Sequence, residues 1–112
     1  VYIMHAGYPM IDDMLAVLYA HPQVYVDVGV IVYTQPRPAF YRYLQAIVDA
    51  GFANRVMFGS DQMVWPGAIE RAIAVIDEAP LLTKQQKRDI FYNNAARFLR
   101  LSKEDIARHH SF

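Results

Sequence analysis

Three short runs of apolar, β-prone residues alternate along the chain with longer segments of helical periodicity. The runs occupy residues 1–4, 24–32 and 56–59. Each is followed by a segment with apolar residues three and four positions apart, the pattern of a helix packed on a core. Strands that alternate with helices of this length are typical of βαβ units and a parallel sheet. The sequence therefore predicts an α/β fold with the order β-α-β-α-β-α-α-α.

The helix boundaries follow from capping and stop signals. Thr83 and Gln86 form a capping box, and Pro80 ends the helix before it. The predicted helices span residues 11–19, 40–50 and 66–78, with further helices that begin after Thr83 and Ser102. The third of them has a predicted buried face that consists of Ile69, Ala72, Ile73 and Ile76.

Composition and charge disfavour several classes of protein. The 112 residues are 54% hydrophobic and 20% charged, which suits a folded core. Eleven basic and eleven acidic residues cancel, so no net charge attracts nucleic acid or an anionic membrane. No apolar run is long enough to span a bilayer. Cysteine is absent, which excludes thiolate metal sites and suits a reducing compartment, so we expect a cytoplasmic protein.

Two residues able to do chemistry stand where predicted strands end. The first run leads to His5, and the third leads to Asp61. Enzymes with parallel sheets place functional groups at the carboxyl ends of their strands. An imidazole and a carboxylate can bind zinc or a similar ion, or accept a proton from a metal-bound water.

Alternation along each strand gives the expected facing of these groups. It places Ile3 with His5, Tyr25 with Asp27, and Met57 with Asp61. In a barrel, we expect these alternate sets to face inward, with His5 and Asp61 at the rim.

Each candidate also has a structural interpretation. A lone histidine beside a glycine turn is often a hydrogen-bonded structural residue, and an aspartate before a loop often caps it. Asp27 lies inside the second run, where a structural hydrogen bond or ion pair is favoured over catalysis. A nucleotide-binding domain is disfavoured, because no Gly-x-Gly-x-x-Gly or phosphate-loop motif follows any strand.

Four segments together carry a resemblance to a known family. They are MHAGYP at residues 4–9, VYVDV at 24–28, RVMFGSD at 55–61 and NAARFL at 94–99. In order and spacing they resemble the amidohydrolase-related family. Its members are metal-dependent (β/α)8 barrels that hydrolyse or decarboxylate small molecules. The segment that ends at Asp61 is the most specific of the four.

The resemblance implies a role for each residue and a position in the barrel. The family's metal-site aspartate ends strand eight, so Asp61 would bind the metal or act as general base. One run separates the two residues, so His5 would end strand six, as a second metal ligand or a proton-transfer residue. The chain would then be one partial domain, residues 1–112, that supplies about strands 6–8 of an incomplete TIM barrel.

The sequence departs from the family in its ligand set. The His-x-His pair of strand one and the histidine of strand five are both absent. A catalytic zinc usually has three protein ligands, of which His5 and Asp61 supply at most two. The sequence also begins inside its first predicted strand, so we expect a segment of a longer protein.

We therefore expect a metal-dependent hydrolase in the complete form, with zinc as the metal and a small molecule as substrate. We expect the isolated chain to be inactive. Two alternatives stay open, namely a decarboxylase of the same family and a non-catalytic α/β piece used in assembly. The unpaired sheet edges predict a homo-oligomer or pairing with the missing amino-terminal part.

Overall fold

The sheet consists of three short parallel strands in a computed structural model that describes residues 2–59 and 67–111. The strands are β1 (Tyr2–Ile3), β2 (Tyr25–Asp27) and β3 (Val56–Met57). Their order in the sheet is β1-β2-β3. The predicted α/β fold with parallel strands, and with the second strand between the other two, is confirmed. The sheet is open and not closed into a barrel.

The helices of the described residues follow the predicted order with two differences. These helices are α1 (Ile11–Ala20), α2 (Ile31–Thr34), α3 (Arg37–Asp49), α4 (Gly67–Asp77), α5 (Lys84–Arg88), α6 (Asn94–Phe98) and α7 (Lys103–His110). Helix α2 is additional, and the helix after Thr83 is divided into α5 and α6. A turn of π-helix, Asp89–Asn93, joins α5 to α6. The predicted capping box of Thr83 and Gln86 opens α5, and Ser102 caps α7. None of these helices is long and apolar enough to cross a bilayer.

The hydrophobic core lies between one face of the sheet and the helices. Val26 and Val56 are fully buried at its centre, and the register pairs Ile3 with Val26 and Val26 with Val56. Residues paired in a parallel sheet share a face, so Ile3 belongs with Val26. The prediction that Ile3 shares the inner face of Tyr25 and Met57 is wrong, because β1 ends at Ile3 and a turn interrupts the alternation before His5.

Strand β2 is much shorter than predicted. The apolar run of residues 24–32 forms a strand only over Tyr25–Asp27, and then turns into α2. The strand ends because the Oδ1 atom of Asp27 accepts the backbone N–H of Gly29 at 3.0 Å, which closes an Asx turn. Ile31 and Val32 remain buried in α2. An apolar run of this length is compatible with either structure.

The buried face of α4 also differs from the prediction. Ala72 and Ile76 are fully buried as expected, but Ile69 and Ile73 are 42% and 44% exposed. The inward face is formed by Ala68, Ala72, Val75 and Ile76. Helix α4 packs against α2, which the sequence did not predict. Both apolar stripes have helical spacing, so periodicity alone did not distinguish them.

Side chains bind backbone carbonyls at the amino ends of the strands. Arg55 donates to the carbonyls of Val24 at 2.8 Å and His21 at 3.0 Å, and also to that of Leu18. Burial lowers the pKa of Arg55 from its ordinary value, yet a guanidinium stays charged at neutral pH. The buried Asn94 donates to the carbonyl of Val56 at 2.7 Å.

Three further contacts join α6 to the same part of the sheet. Asn94 also donates to the carbonyl of Ala53 at 2.9 Å, and Arg97 donates to that of Asn54 at 2.9 Å. The ring of Phe98 lies against Tyr25, with ring centres 5.3 Å apart. The NAARFL segment therefore has a structural role at the amino ends of the strands.

Candidate functional site

The first strand runs into a tight turn, Met4–Gly7, with an unusual backbone. His5 and Ala6 both adopt the left-handed conformation, at φ 56° and 50°. For residues with a Cβ atom, this conformation costs on the order of 1–2 kcal/mol each. Gly7 follows at φ 68°, where a Cβ atom would lie 2.7 Å from Cγ of Met14. The turn requires glycine at position 7 and outside support at His5 and Ala6.

Two side chains distant in sequence supply that support. The backbone N–H of His5 donates to Oδ1 of Asp27 at 3.0 Å, and the Tyr43 hydroxyl donates to the carbonyl of Ala6 at 2.6 Å. Ala6 is fully buried. Burial raises the pKa of Tyr43 to about 12, so the phenol keeps its proton at neutral pH and remains a donor. The expectation that Asp27 makes a structural hydrogen bond is confirmed.

The imidazole of His5 has a defined orientation. Its Nδ1 atom lies 2.7 Å from the carbonyl oxygen of Gly29. A carbonyl only accepts hydrogen bonds, so Nδ1 carries the hydrogen in this contact. In the neutral ring, the lone pair is then on Nε2. Metal-binding histidines are oriented in this way by a carbonyl or carboxylate on the other nitrogen, so a structural hydrogen bond and a functional role are compatible at His5.

A cavity of about 210 Å³ lies at the carboxyl ends of the three strands. It is lined by Tyr2, Met4, His5, Asp27, Gly29 and Gly59. A Cβ atom on Gly59 would lie 3.9 Å from Cβ of Asp27, so the chain that leaves β3 passes beside the second strand's end. Asp61 comes two residues later and lies outside the described residues. The structure thus brings together His5, Asp27 and Gly59.

Sequence reasoning missed two of the groups that hold His5 and the turn around it. The Gly29 carbonyl is a backbone atom and leaves no signal in the sequence. Tyr43 is one of several aromatic residues near α3, and nothing local shows that its hydroxyl binds Ala6. The recognisable signal was the glycine turn directly after a histidine at a strand end.

A parallel sheet with an oriented histidine and a cavity at its carboxyl edge is the arrangement of an α/β enzyme. A family model described as Amidohydrolase matches residues 1–101. The chain therefore belongs to the amidohydrolase family, whose members are enzymes of the hydrolase and decarboxylase type. No curated protein and no solved structure matches the chain.

Members of this family typically use divalent metal ions, and the donors near the cavity can be compared with that requirement. In its neutral form, the His5 ring with its hydrogen on Nδ1 has a lone pair on Nε2, the type of donor that suits one ligand position of zinc. Oδ1 of Asp27 already accepts two N–H groups, so it suits the support of a ligand. Among residues 2–59 and 67–111, no group of three or more histidine, cysteine or acidic side chains is placed to hold a metal. The described residues fit one ligand of a metal site.

Proposed function

We propose that this chain supplies strands six to eight of a (β/α)8 barrel in a metal-dependent enzyme. The reaction is the hydrolysis of a C–N, C–O or similar bond in a small molecule. The family match over residues 1–101 and the three parallel strands in sequential order support this assignment. The observation that carries it is His5, which follows the end of β1 with its ring oriented by the Gly29 carbonyl.

Each site residue has a role in this proposal. His5 binds the metal through Nε2 or moves a proton beside it. Asp61 binds the metal or serves as general base, and the approach of Gly59 to Asp27 supports its inclusion in the same site. A bound divalent ion, zinc in our proposal, supplies Lewis acidity and lowers the pKa of a coordinated water. The remaining ligands come from other parts of the complete protein.

The same proposal explains how the sheet is completed. Within the described residues, β1 and β3 each pair on one side only. Tyr2 and Met4, beside the β1 edge, are 44% and 55% exposed. The other barrel strands, or copies of this chain, would cover these edges. Analytical ultracentrifugation of the isolated chain at micromolar concentration tests this, and a sharp monomer that unfolds cooperatively would contradict it.

Replacement of the two site residues in the complete protein tests the catalytic roles. We expect His5→Asn and Asp61→Asn each to lower kcat by roughly 100-fold or more, measured on a panel of small amides, lactones and carboxylic acids. His21→Asn is the matched control, because His21 is exposed between α1 and β2. Normal turnover in either site variant would remove that residue from the mechanism.

Product analysis on the same panel distinguishes the two reaction types of the family. Release of an amine or alcohol supports hydrolysis, and release of carbon dioxide supports a carbon–carbon lyase instead. Chelation should abolish either activity, and zinc should restore it. For the isolated chain we expect weak or no zinc binding, so submicromolar one-to-one binding by calorimetry would contradict the proposed ligand count. The cytoplasmic location stays a prediction.

A further inference from the structure

A single carboxylate oxygen connects two strands at the edge of the cavity. Oδ1 of Asp27 accepts the backbone N–H of His5 at 3.0 Å and that of Gly29 at 3.0 Å. Strands β1 and β2 end at Ile3 and Asp27, so neither bond belongs to the sheet ladder. Hydrogen bonds to a charged acceptor are roughly twice as strong as neutral ones. The Asp27 carboxylate therefore extends the connection between β1 and β2 to His5, two residues beyond the end of β1.

The second of these bonds acts on the His5 ring through Gly29. The bond from the Gly29 N–H to Asp27 restrains the Val28–Gly29 peptide plane. The Gly29 carbonyl belongs to the next peptide plane, so its position is restrained as well. That carbonyl oxygen is 2.7 Å from Nδ1 of His5 and also accepts the N–H of Ile31 at 2.7 Å. The intervening Val30 is held at φ 63° and ψ −56°, a strained three-residue turn. The orientation of the Gly29 carbonyl is thus restrained both by the bond to Asp27 and by the turn at Val30.

We infer that Asp27 is a positioning residue, which holds both the left-handed backbone of His5 and the Nδ1–H tautomer of its ring. Without the carboxylate, the His5 and Gly29 N–H groups lose their acceptor, and the Gly29 carbonyl keeps only the restraint from the Ile31 N–H. The consequence for function, which rests on the proposed role of His5, is that Asp27 sets which ring nitrogen can act on a metal or a proton.

Imidazole nitrogen NMR on the full chain tests the tautomer directly. At about pH 8.5, where ordinary imidazoles are neutral, the spectrum identifies which nitrogen of His5 carries hydrogen, with His5→Asn used for assignment. We expect Nδ1–H in the native protein and a mixture of tautomers in Asp27→Ala. Asp49→Asn is the matched control, because Oδ1 of Asp49 accepts a hydrogen bond from Gln45 on the exposed surface of α3. It should leave the His5 signals unchanged.

Hydrogen exchange of two backbone amides gives a second readout. We expect exchange at His5 and Gly29 to accelerate at least about tenfold in Asp27→Ala. In Asp27→Asn we expect acceleration by roughly fivefold and a smaller fraction of the second tautomer than in Asp27→Ala, because an amide oxygen still accepts but carries no charge. If Asp27→Ala does not fold, Asp27→Asn alone decides. An unchanged tautomer and unchanged exchange in the variant that folds would overturn the inference.

Kinetics in the complete enzyme separate this inference from the proposed function. We expect Asp27→Ala to lower kcat about 10- to 100-fold with little change in KM, and Asp27→Asn to recover part of the loss. A purely structural role would lower the melting temperature and leave the His5 tautomer as it is. Normal activity of His5→Asn would refute the proposed function without affecting the NMR result. Conversely, unchanged NMR spectra would refute the role of Asp27 and leave the function standing.

Discussion

The two ends of the sheet are stabilised by opposite kinds of contact. At the amino ends of the strands, the cationic or amide side chains of Arg55 and Asn94 donate to backbone carbonyls. At the carboxyl ends, the Asp27 carboxylate accepts from backbone N–H groups, and the backbone it holds at His5 is left-handed. The two ends therefore differ in the strain that they support as well as in the sign of the charge involved.

This difference has a physical meaning for the division of labour in the sheet. Donors at the amino end add hydrogen bonds between the strand ends and neighbouring segments, so their loss affects the whole fold. Contacts at the carboxyl end hold the backbone of His5 and Ala6 in a conformation that it would not adopt alone, so their loss affects the candidate site first. TIM barrels, the fold that the family match suggests, show the same separation, with stability at the amino face and chemistry at the carboxyl face.

The strongest test of this comparison is Asn94→Ala. Asn94 is fully buried, and its removal takes away the side-chain hydrogen bonds to the carbonyls of Ala53 and Val56. We expect the free energy of unfolding to fall by about 3 kcal/mol in urea denaturation. Asn93→Ala is the control, because Asn93 is only half-buried and bonds to Asp89 within its own helix, and it should cost less than about 1 kcal/mol. Equal losses in the two variants would break the comparison.

Arg55→Met tests the charged part of the same end. The variant keeps much of the apolar stem but removes the donors to three carbonyls. We expect a loss of about 2 kcal/mol in the free energy of unfolding. Arg42→Met, on the exposed surface of α3, should change it by less than about 0.5 kcal/mol. Neither change should alter the His5 tautomer, and an altered tautomer in Arg55→Met would show that the two ends are coupled.

At the carboxyl end, Tyr43→Phe removes the bond to the Ala6 carbonyl. We expect a loss of about 1 to 1.5 kcal/mol near neutral pH. The pKa of Tyr43 is raised by burial to about 12 from an ordinary 10. Its contribution is therefore complete below pH 10 and is lost as the pH rises from 10 to 12.

Urea denaturation between those pH values checks the sign. The native protein should lose more stability than Tyr43→Phe over this range, by at most about 1.4 kcal/mol per pH unit. Part of the slope will persist in the variant, because burial also raises the pKa of Tyr41. Tyr19→Phe is the control, since Tyr19 is 84% exposed, and its pH dependence should match that of the native protein. Parallel curves for the native protein and Tyr43→Phe would contradict the assignment.

The sequence predicted those parts of the molecule that depend on local patterns. The parallel order of the strands follows from their alternation with helices along the chain. The capping box at Thr83 and the cap at Ser102 follow from spacing within a few residues. Arg55 and Asn94 belong to segments that resemble the family, but the sequence did not predict their contacts at the amino end. The position of His5 beside the end of β1 was also predicted.

The turn that holds His5 could not be predicted, because its causes are distant in sequence. Alanine disfavours left-handed backbone and histidine adopts it only rarely, and the groups that impose it come from Asp27 and Tyr43, 22 and 37 residues away. Likewise, nothing in an apolar run shows that β2 stops at Asp27. Val30 illustrates the point most clearly, because a β-branched residue is the last one expected at positive φ.

Val30→Gly tests whether strain is stored at the carboxyl end. Val30 has a φ of 63°, and glycine adopts such values without a steric penalty. Relief of strain worth about 1–3 kcal/mol should offset the lost side chain and the greater entropy of the unfolded chain. We expect a net change within about 1 kcal/mol in urea denaturation. Val32→Gly, at the second residue of α2 and 1% exposed, has no strain to relieve and should cost about 3 kcal/mol or more. If both variants lose the same stability, Val30 stores no strain, and the contrast between the two ends reduces to their hydrogen bonds alone.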